Sequence, residues 1–231
     1  MFDAIYRHSR ARVAGLAMAL TDEQLASTVA ATPEWTGRDV VAHLVGVASD
    51  VATGNLSGAP GPRWTAAQVD ARAGRPVMDL LAEWDEVGPA MEAALAARRA
   101  GIQSVLDVLT HESDLRETFG FGTPPLADVE AATFPAIKGR VGGFGGPGSL
   151  QVRCVDSTGD EREWTGGDGP TTAVLTVEPY ELFRGLISRR SRRQMRAWQW
   201  DGDTDPALVI EQLPVFGCRD DDQPLPTRSP G

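Results

Sequence analysis

The chain has 231 residues, of which 42% are hydrophobic, enough to bury the cores of one or two domains. Its formal net charge of -10 disfavours nonspecific binding to nucleic acid and docking on anionic membranes, both of which need a positive surface. No apolar run approaches the roughly 20 residues of a membrane span, and the first residues do not resemble a signal peptide. With only two cysteines, Cys154 and Cys218, we expect a cytoplasmic protein without a disulfide framework.

The first half of the chain predicts helices. Apolar residues recur at helical spacing from Val13 to Leu20. In the next helix, Thr36 is the predicted N-cap, and Asp39 three residues later completes a capping box. Two further helices are predicted, over residues 76–99 and 102–113. Four helices with modest connections predict a helical bundle.

Two glycine- and proline-rich segments follow the predicted bundle. The segment FGFGTPP (119–125) ends the fourth helix, and another helix is predicted from Ala127 to about Arg140, bent at Pro135. The segment VGGFGGPGS (141–149) is typical of a joint between domains. We therefore predict a helical domain over 1–145, a second domain over 146–220 and a disordered tail over 221–231.

The second half predicts a different class of structure. Segments 149–155 and 171–178 alternate apolar and polar residues, as strands do, and a helix is predicted over 178–188 with Pro179 at its start. Residues 195–202 also predict a strand, with Trp198 and Trp200 on one face. The second domain is therefore predicted to be a small α+β domain, and the chain as a whole belongs to the α+β class.

Three side chains of the predicted bundle could bind a metal. Asp107 and His111 are four residues apart, so one helix places them on the same side. His43 lies between Val40 and Val47 on the inward face of another helix. Two imidazoles and a carboxylate suit zinc or a similar divalent ion, and three protein ligands leave a coordination position open.

The same residues allow a purely structural interpretation. Asp107 and His111 lie to one side of the apolar stripe that runs from Ile102 to Leu109, which is typical of a solvated pair. His43 would then be a hydrogen-bonded core histidine. Glu112 and Asp114 either orient the imidazole of a ligand histidine from outside or are exposed carboxylates of the last turn, and exposure is the expectation.

Other candidate residues carry two interpretations each. Six arginines lie close together and either bind a substrate carboxylate or pair with the surplus acidic residues: Arg184, Arg189, Arg190, Arg192, Arg193 and Arg196. Pairing is expected for most of them. Three tryptophans either line a pocket or anchor the core and loops: Trp35, Trp64 and Trp84. Both cysteines are expected to be inert, because neither has a neighbouring histidine or helix N-terminus that would lower the thiol pKa.

Four segments resemble the mycothiol-dependent maleylpyruvate isomerase family of actinobacteria. They are WTGRDVVAHLVG (35–46), GRPVMDLLAEW (74–84), LTHESDLR (109–116) and PYELFRGLISRRSRRQMRAWQWDGD (179–203). The resemblance covers nearly the whole chain except the tail. It implies a DinB-like four-helix bundle followed by a sterol-carrier-like α+β domain.

The resemblance also implies the residues of the site. The family binds a divalent metal, usually zinc, through His, Glu and His, which fall here on His43, Asp107 and His111; the aspartate departs from the family's glutamate. The arginine of a Gly-Arg motif falls on Arg189, and Ser188 replaces the glycine.

The implied function is that of a metal-dependent enzyme with mycothiol as cosubstrate. Its thiolate would add to a small electrophile that can carry a carboxylate, in an isomerisation or an S-transfer. The alternative is a non-catalytic small-ligand-binding protein of the same fold. In either case we expect no nucleic-acid or membrane partner, and a monomer or small homo-oligomer.

Overall fold

The structure is a computed structural model that describes residues 1–227. The described chain divides into two compact units, Met1–Pro124 with residues 226–227, and Pro125–Leu225. Helices dominate the first unit and a sheet with helices forms the second, so the predicted α+β class is confirmed. Within residues 1–227, no helix is both long enough and apolar enough to cross a lipid bilayer.

The first unit is built around four long helices. Its elements in chain order are α1 (Phe2–Ala19), α2 (Asp22–Ala26), β1 (Thr28–Val29), β2 (Thr32–Thr36), α3 (Gly37–Thr53), α4 (Pro62–Asp70), α5 (Val77–Ala96) and α6 (Ile102–Phe119). Helix α5 packs against α1 and α3, and α6 packs against the same two helices. This arrangement is the predicted helical bundle.

The start of α3 follows from local chemistry. The Thr36 hydroxyl accepts a hydrogen bond from the Asp39 backbone N–H at 3.2 Å, and the Asp39 carboxylate accepts one from the Thr36 N–H at 2.9 Å. This is the predicted capping box, which satisfies two otherwise unpaired N–H groups. It fixes the first turn of the helix that carries His43.

Helix α4 was not predicted. It lies between the helix that carries His43 and the predicted helix over 76–99, in a segment for which no helix is predicted. Within α4, all of which is in the described part of the chain, Gln68 is the single buried residue. The helix therefore has no apolar stripe that periodicity could detect.

The second unit packs helices against a four-stranded sheet. Its elements are α7 (Leu126–Gly142), β3 (Ser149–Val155), β4 (Glu161–Gly167), β5 (Thr171–Thr176), α8 (Pro179–Leu186), α9 (Arg192–Arg196), β6 (Gln199–Asp201) and α10 (Pro206–Ile210). The strand order is β4-β3-β5-β6, with β3 parallel to β5 and the other pairs antiparallel. A single apolar cluster joins α7, α8, α10 and the sheet.

The boundary between the units lies at Pro124 and Pro125 rather than at the predicted residue 145. Helix α7 belongs to the second unit because its buried Ile137 and Val141 join the apolar cluster of the sheet. The glycine-rich segment 141–149 is therefore not a joint between domains. It connects α7 to β3 within one core.

Two other predictions in the second unit need correction. The predicted strand over 195–202 is a strand only at Gln199–Asp201, because a Ser191–Gln194 capping box starts helix α9 just before it. The predicted disorder of the tail does not hold for 221–227, where Asp222 accepts a hydrogen bond from the Ser191 hydroxyl at 2.5 Å and Gln223 is buried. Residues 228–231 of the predicted tail lie outside the described residues.

Candidate metal centre

The structure brings the three predicted ligands of the first unit together. The Asp107 Oδ1 atom lies 3.5 Å from His43 Nε2 and 3.6 Å from His111 Nε2. One ligand atom from each residue lies within 4.8 Å of the others. The two histidines are buried, whereas the Asp107 side chain is 32% exposed. Metal binding by these residues stays a prediction, but their convergence is a fact of the fold.

The distances fit ligands around an ion better than hydrogen bonds. Hydrogen bonds from N–H to oxygen are about 2.7–3.2 Å long, shorter than both Asp107 contacts. With metal–ligand bonds of about 2.0–2.1 Å, adjacent ligands of a tetrahedral ion are about 3.4 Å apart. The separations of 3.5 and 3.6 Å are close to that value.

The hydrogen bonds behind His43 turn its Nε2 toward the site. Its Nδ1 lies 2.9 Å from Gln68 Oε1, and the Gln68 amide nitrogen donates to Asp50 Oδ2 at 2.8 Å. Since a carboxylate can only accept, the network orients the Gln68 oxygen toward the ring. In a neutral imidazole, this orientation of the amide favours the proton on Nδ1 and leaves the lone pair on Nε2, the atom that lies near Asp107.

His111 is supported by a carboxylate. Its Nδ1 lies 3.1 Å from Asp114 Oδ2, an ion-pair distance, although the ring N–H is not aimed at that oxygen well enough to form a hydrogen bond. Asp114 is fully buried and favours the proton on Nδ1. In this tautomer both neutral imidazoles would present a lone pair beside the Asp107 carboxylate, and a divalent cation would offset the mutual repulsion. The donor set fits such an ion.

The burial of α6 differs from the sequence prediction. Every residue from Val108 to Leu115 is buried, so Glu112 and Asp114 are not exposed carboxylates and His111 is not on a solvated face. The reason is a buried ion pair with α1. Glu112 accepts hydrogen bonds from Ser9 at 2.6 Å and from Arg12 at 2.7 Å.

Of the three predicted tryptophans, one borders the site and the other two belong to the core or anchor a loop. The Trp35 ring centroid lies 5.0 Å from that of His43 and 5.7 Å from that of His111, so Trp35 forms one wall of the site. Trp84 is buried in the bundle and donates to the Tyr6 hydroxyl at 3.1 Å. Burial raises the pKa of the Tyr6 phenol far above its ordinary value, and the negative charge of Asp107 adds to the rise. Trp64 donates to the Asn55 carbonyl and is a loop anchor, as one interpretation expected.

Gln68 and Asp50 were not predicted from the sequence as part of the site. One signal in the sequence could have indicated them: Gly46, in the interior of α3. A Cβ at this position would lie 2.4 Å from Gln68 Cβ, so only glycine lets α4 approach α3 this closely. Because glycine costs about 1 kcal/mol in a helix interior, its presence indicates a close neighbour.

Two arginines attach the end of α4 to α5. Arg72 and Arg75 both form ion pairs with Glu83 of α5. Arg72 also donates to the Gln68 carbonyl at 3.2 Å. These contacts hold α4 beside α3 and thereby keep the Gln68 amide next to His43.

We expect the stabilisation from this attachment to be lost at acidic pH. Burial would raise the pKa of Glu83, but hydrogen bonds from Arg72 and Arg75 outweigh it and hold the pKa below its ordinary value of 4.5. A carboxyl with a lowered folded-state pKa contributes stability that is lost as the pH falls through that pKa. The difference in unfolding free energy between wild type and Glu83→Gln should therefore shrink below pH 4.5. Urea unfolding at a series of pH values measures it, and a constant difference would contradict the assignment.

The arginine cluster of the second unit is mostly paired with acidic residues, as expected. The ion pairs are Arg190 with Glu181, Arg192 with Glu211 and Asp220, Arg193 with Asp222, and Arg196 with Asp205. Arg184 and Arg190 are fully buried, so the cluster is not a solvated face throughout.

Arg189 follows the end of α8. Its Nη1 donates to the Ile187 carbonyl at 3.3 Å. The preceding Ser188 has φ of 61°, the left-handed region that favours glycine. Ser188 therefore keeps the backbone conformation that a glycine of the Gly-Arg motif would adopt. The role of Arg189 stays a prediction.

Neither cysteine is a candidate nucleophile. Burial raises the pKa of Cys154 to about 11, and burial also raises the pKa of Cys218. Both thiols stay protonated at neutral pH, and protonated thiols are poor nucleophiles and poor metal ligands. A thiol for chemistry at this site would have to come from outside the chain.

Comparisons with known proteins agree with the resemblance. Residues 6–118 match the family profile described as Mycothiol maleylpyruvate isomerase N-terminal domain, and this range includes the three predicted ligands. Among curated proteins, no significant match is found.

Solved structures show the same fold. A crystal structure of the mycothiol-dependent maleylpyruvate isomerase is similar with a TM-score of 0.58 and 11% identity, covering 89% of this chain and 94% of that chain. A histidine-to-alanine mutant of that enzyme gives the same TM-score and coverage with 10% identity. At such identities the likeness establishes the fold alone. The profile match of residues 6–118 and the shared fold support the predicted resemblance to the mycothiol-dependent maleylpyruvate isomerase family.

Proposed function

We propose that the protein is a metal-dependent enzyme that uses mycothiol as a thiol cosubstrate. The reaction is addition of the thiolate to a small electrophile, completed as an isomerisation or as an S-transfer. The observation that carries the proposal is the convergence of two imidazoles and one carboxylate whose outer contacts turn both Nε2 atoms inward. Three protein ligands leave a coordination position for a guest, which is the arrangement of a catalytic site.

The proposed ligands are His43, Asp107 and His111, and the proposed metal is zinc, which accepts nitrogen and oxygen donors in this combination. A bound dication would lower the pKa of a coordinating thiol from its free value of about 8.5, giving a thiolate at neutral pH. The chain's own contribution is to hold two neutral imidazoles in one tautomer and to limit water at the buried side. Trp35 packs over both rings and restricts their rotation.

Two residues shape the proposed specificity. Asp107 is one methylene shorter than the family's glutamate, yet its Oδ1 lies near both imidazoles, which supports it as a ligand. Arg189 is the proposed partner of a substrate carboxylate, because a guanidinium group matches the geometry of a carboxylate with two parallel hydrogen bonds.

Mycothiol is expected to bind the zinc-loaded protein and not the chelator-treated protein, because the metal supplies the contact with sulfur. Isothermal calorimetry with both forms measures this difference. S-methylated mycothiol is the matched control ligand: it keeps the sugar groups but cannot become a thiolate, so it should bind both forms weakly and equally. Equal binding of mycothiol itself to the two forms would refute the proposed chemistry.

A second candidate function is non-catalytic binding of a small ligand by the second unit. One observation favours it, an open pocket of about 350 Å³ that is lined by both apolar and polar residues. Its lining includes Val141, Phe144 and Leu213 together with Arg140 and Glu211. The volume is within the usual range for small-molecule sites, about 300–1,000 Å³. Metal-independent binding of mycothiol would favour this function over the first.

A further inference from the structure

We propose that Gln68 is a positioning residue that fixes the tautomer of His43, and that Asp50 sets the direction in which the Gln68 amide points. This inference rests on the proposed metal site, because the tautomer determines whether His43 Nε2 can be a ligand. The hydrogen-bond chain Asp50–Gln68–His43 lies wholly within the first unit.

The burial of Gln68 indicates that its amide has a specific task. Gln68 is 3% exposed, although the rest of α4 is exposed or only half-buried. Burying an amide costs free energy unless its hydrogen bonds are satisfied. Here the oxygen faces His43 Nδ1 at 2.9 Å and the nitrogen donates to Asp50 at 2.8 Å, so both ends of the amide are used.

Asp50 determines which way the hydrogen bonds run from residue 50 through Gln68 to His43. Its Oδ1 accepts a hydrogen bond from the Asn55 side chain and its Oδ2 accepts one from Gln68, each at 2.8 Å. Because an ionised carboxylate has no donor, the Gln68 NH₂ must face Asp50 and the oxygen must face His43. Only an N–H at Nδ1 can pair with that oxygen, and a neutral imidazole then carries its lone pair on Nε2.

The close approach of α4 to α3 makes the arrangement possible. A side chain at Gly46, three residues after His43, would overlap the Cβ and Cγ atoms of Gln68 at 2.4 and 2.7 Å. The glycine therefore opens the place that the amide occupies. Its cost in helix stability is offset by access of Gln68 to the imidazole.

The two histidines are supported by different chemistry. His111 lies beside the carboxylate of Asp114, which can only accept a hydrogen bond. His43 lies beside an amide, which can either accept or donate according to its orientation. The tautomer of His43 is therefore set one residue further away, and it can be inverted without touching His43 or Gln68.

Asp50→Asn should reverse the direction of the hydrogen bonds that run from residue 50 through Gln68 to His43. The oxygen of the introduced amide still accepts from Asn55, so its NH₂ faces Gln68 and draws the Gln68 oxygen away from His43. The Gln68 NH₂ then faces Nδ1, the proton moves to Nε2, and metal affinity should fall about tenfold, as for loss of an outer partner of a ligand. Gln68→Leu, which removes the partner, should lower affinity by about 10- to 100-fold.

The double variant Asp50→Asn/Gln68→Glu should restore the original direction. A carboxylate at position 68 can only accept, so it takes one hydrogen bond from the introduced amide and one from His43 Nδ1. Metal affinity is expected to return to within about threefold of wild type, on the reasoning that the outer partner is again an acceptor. Recovery by two substitutions together cannot arise from a general loss of folding.

Two measurements test the proposed hydrogen-bond series Asp50–Gln68–His43. Competition with a chromophoric chelator gives zinc affinity for wild type, Asp50→Asn, Gln68→Leu and the double variant, with thermal unfolding to verify folding. Long-range ¹H–¹⁵N spectra of the metal-free proteins report which ring nitrogen of His43 carries the proton. We expect Nδ1–H in wild type and the double variant and Nε2–H in Asp50→Asn.

An unchanged tautomer in folded Asp50→Asn, or a double variant no better than the single one, would overturn the inference. A failure of the metal-site proposal has a different signature: wild type would bind no zinc, while the spectra of the metal-free proteins would still report the tautomer.

Discussion

Replacing His43 with alanine is expected to abolish binding of a divalent metal. The wild-type protein should carry about one ion per chain, held by the two imidazoles and the Asp107 carboxylate. Removing one of three ligands should lower affinity by more than the roughly 10- to 100-fold that loss of an outer partner costs. Elemental analysis of the purified proteins, after dialysis against a weak chelator, measures the metal content.

The chain offers a matched control for this experiment. It has three histidines, and His8, on α1, is exposed and lies outside the ligand group. His8→Ala should retain the full metal content and the same unfolding midpoint. If His43→Ala kept its metal while folded, the ion would lie elsewhere and the proposed site would be wrong.

Gly166→Ala is expected to destabilise the second unit by several kcal/mol. Gly166 lies in β4, where a Cβ would be 1.9 Å from the Val141 carbonyl oxygen at the end of α7. Backbone at such a distance cannot yield as a flexible side chain can, so the helix would have to move off the sheet. Overpacking of a core commonly costs about 1–3 kcal/mol, and displacement of backbone exceeds that range. Denaturant unfolding monitored by tryptophan fluorescence measures the loss.

Gly139→Ala, in α7 itself, provides the comparison. A Cβ there has no neighbour within 4 Å, so the change should be neutral or stabilise the helix by up to about 1 kcal/mol. Similar losses from both substitutions would mean that contact between α7 and β4 does not control stability. Retention of metal by both variants is also expected, since the ligands lie in the first unit.

The sequence was most informative where local chemistry decides the structure. The capping box at Thr36 and Asp39 needs only residues three apart, and the structure contains it as predicted. The four-residue spacing of Asp107 and His111 likewise places both side chains on one side of α6. The meeting of that pair with His43 required the bundle itself, which the family resemblance indicated and the structure shows.

The sequence was least informative where a neighbour far along the chain decides burial. The stripe from Ile102 to Leu109 did not reveal that α6 is buried from Val108 onward. There, Arg12 of α1 neutralises the charge of Glu112, and Ser9 donates a hydrogen bond to the same carboxylate. For the same reason α4 was missed. Its single buried residue is polar, and hydrophobic periodicity cannot detect a buried amide.

The domain boundary shows the same limit. The glycines of 141–149 are typical of a linker, yet they lie between α7 and β3 of one unit. Gly148, with φ of 72°, would place a Cβ within 2.6 Å of the Pro170 carbonyl, so it serves a close approach within the core. Composition alone does not distinguish glycine used for flexibility from glycine used for tight packing.

The backbone of Ser188 bears on how family motifs are defined. Its hydroxyl accepts a hydrogen bond from the Phe216 N–H at 3.1 Å, so the side chain has a structural use that a hydrogen atom would lack. A pattern search that insists on glycine before the arginine would discard this chain, although the constraint concerns a torsion angle rather than a residue type. The left-handed φ of Ser188 is what this chain keeps at the position of the motif's glycine, and asparagine or aspartate would also tolerate it.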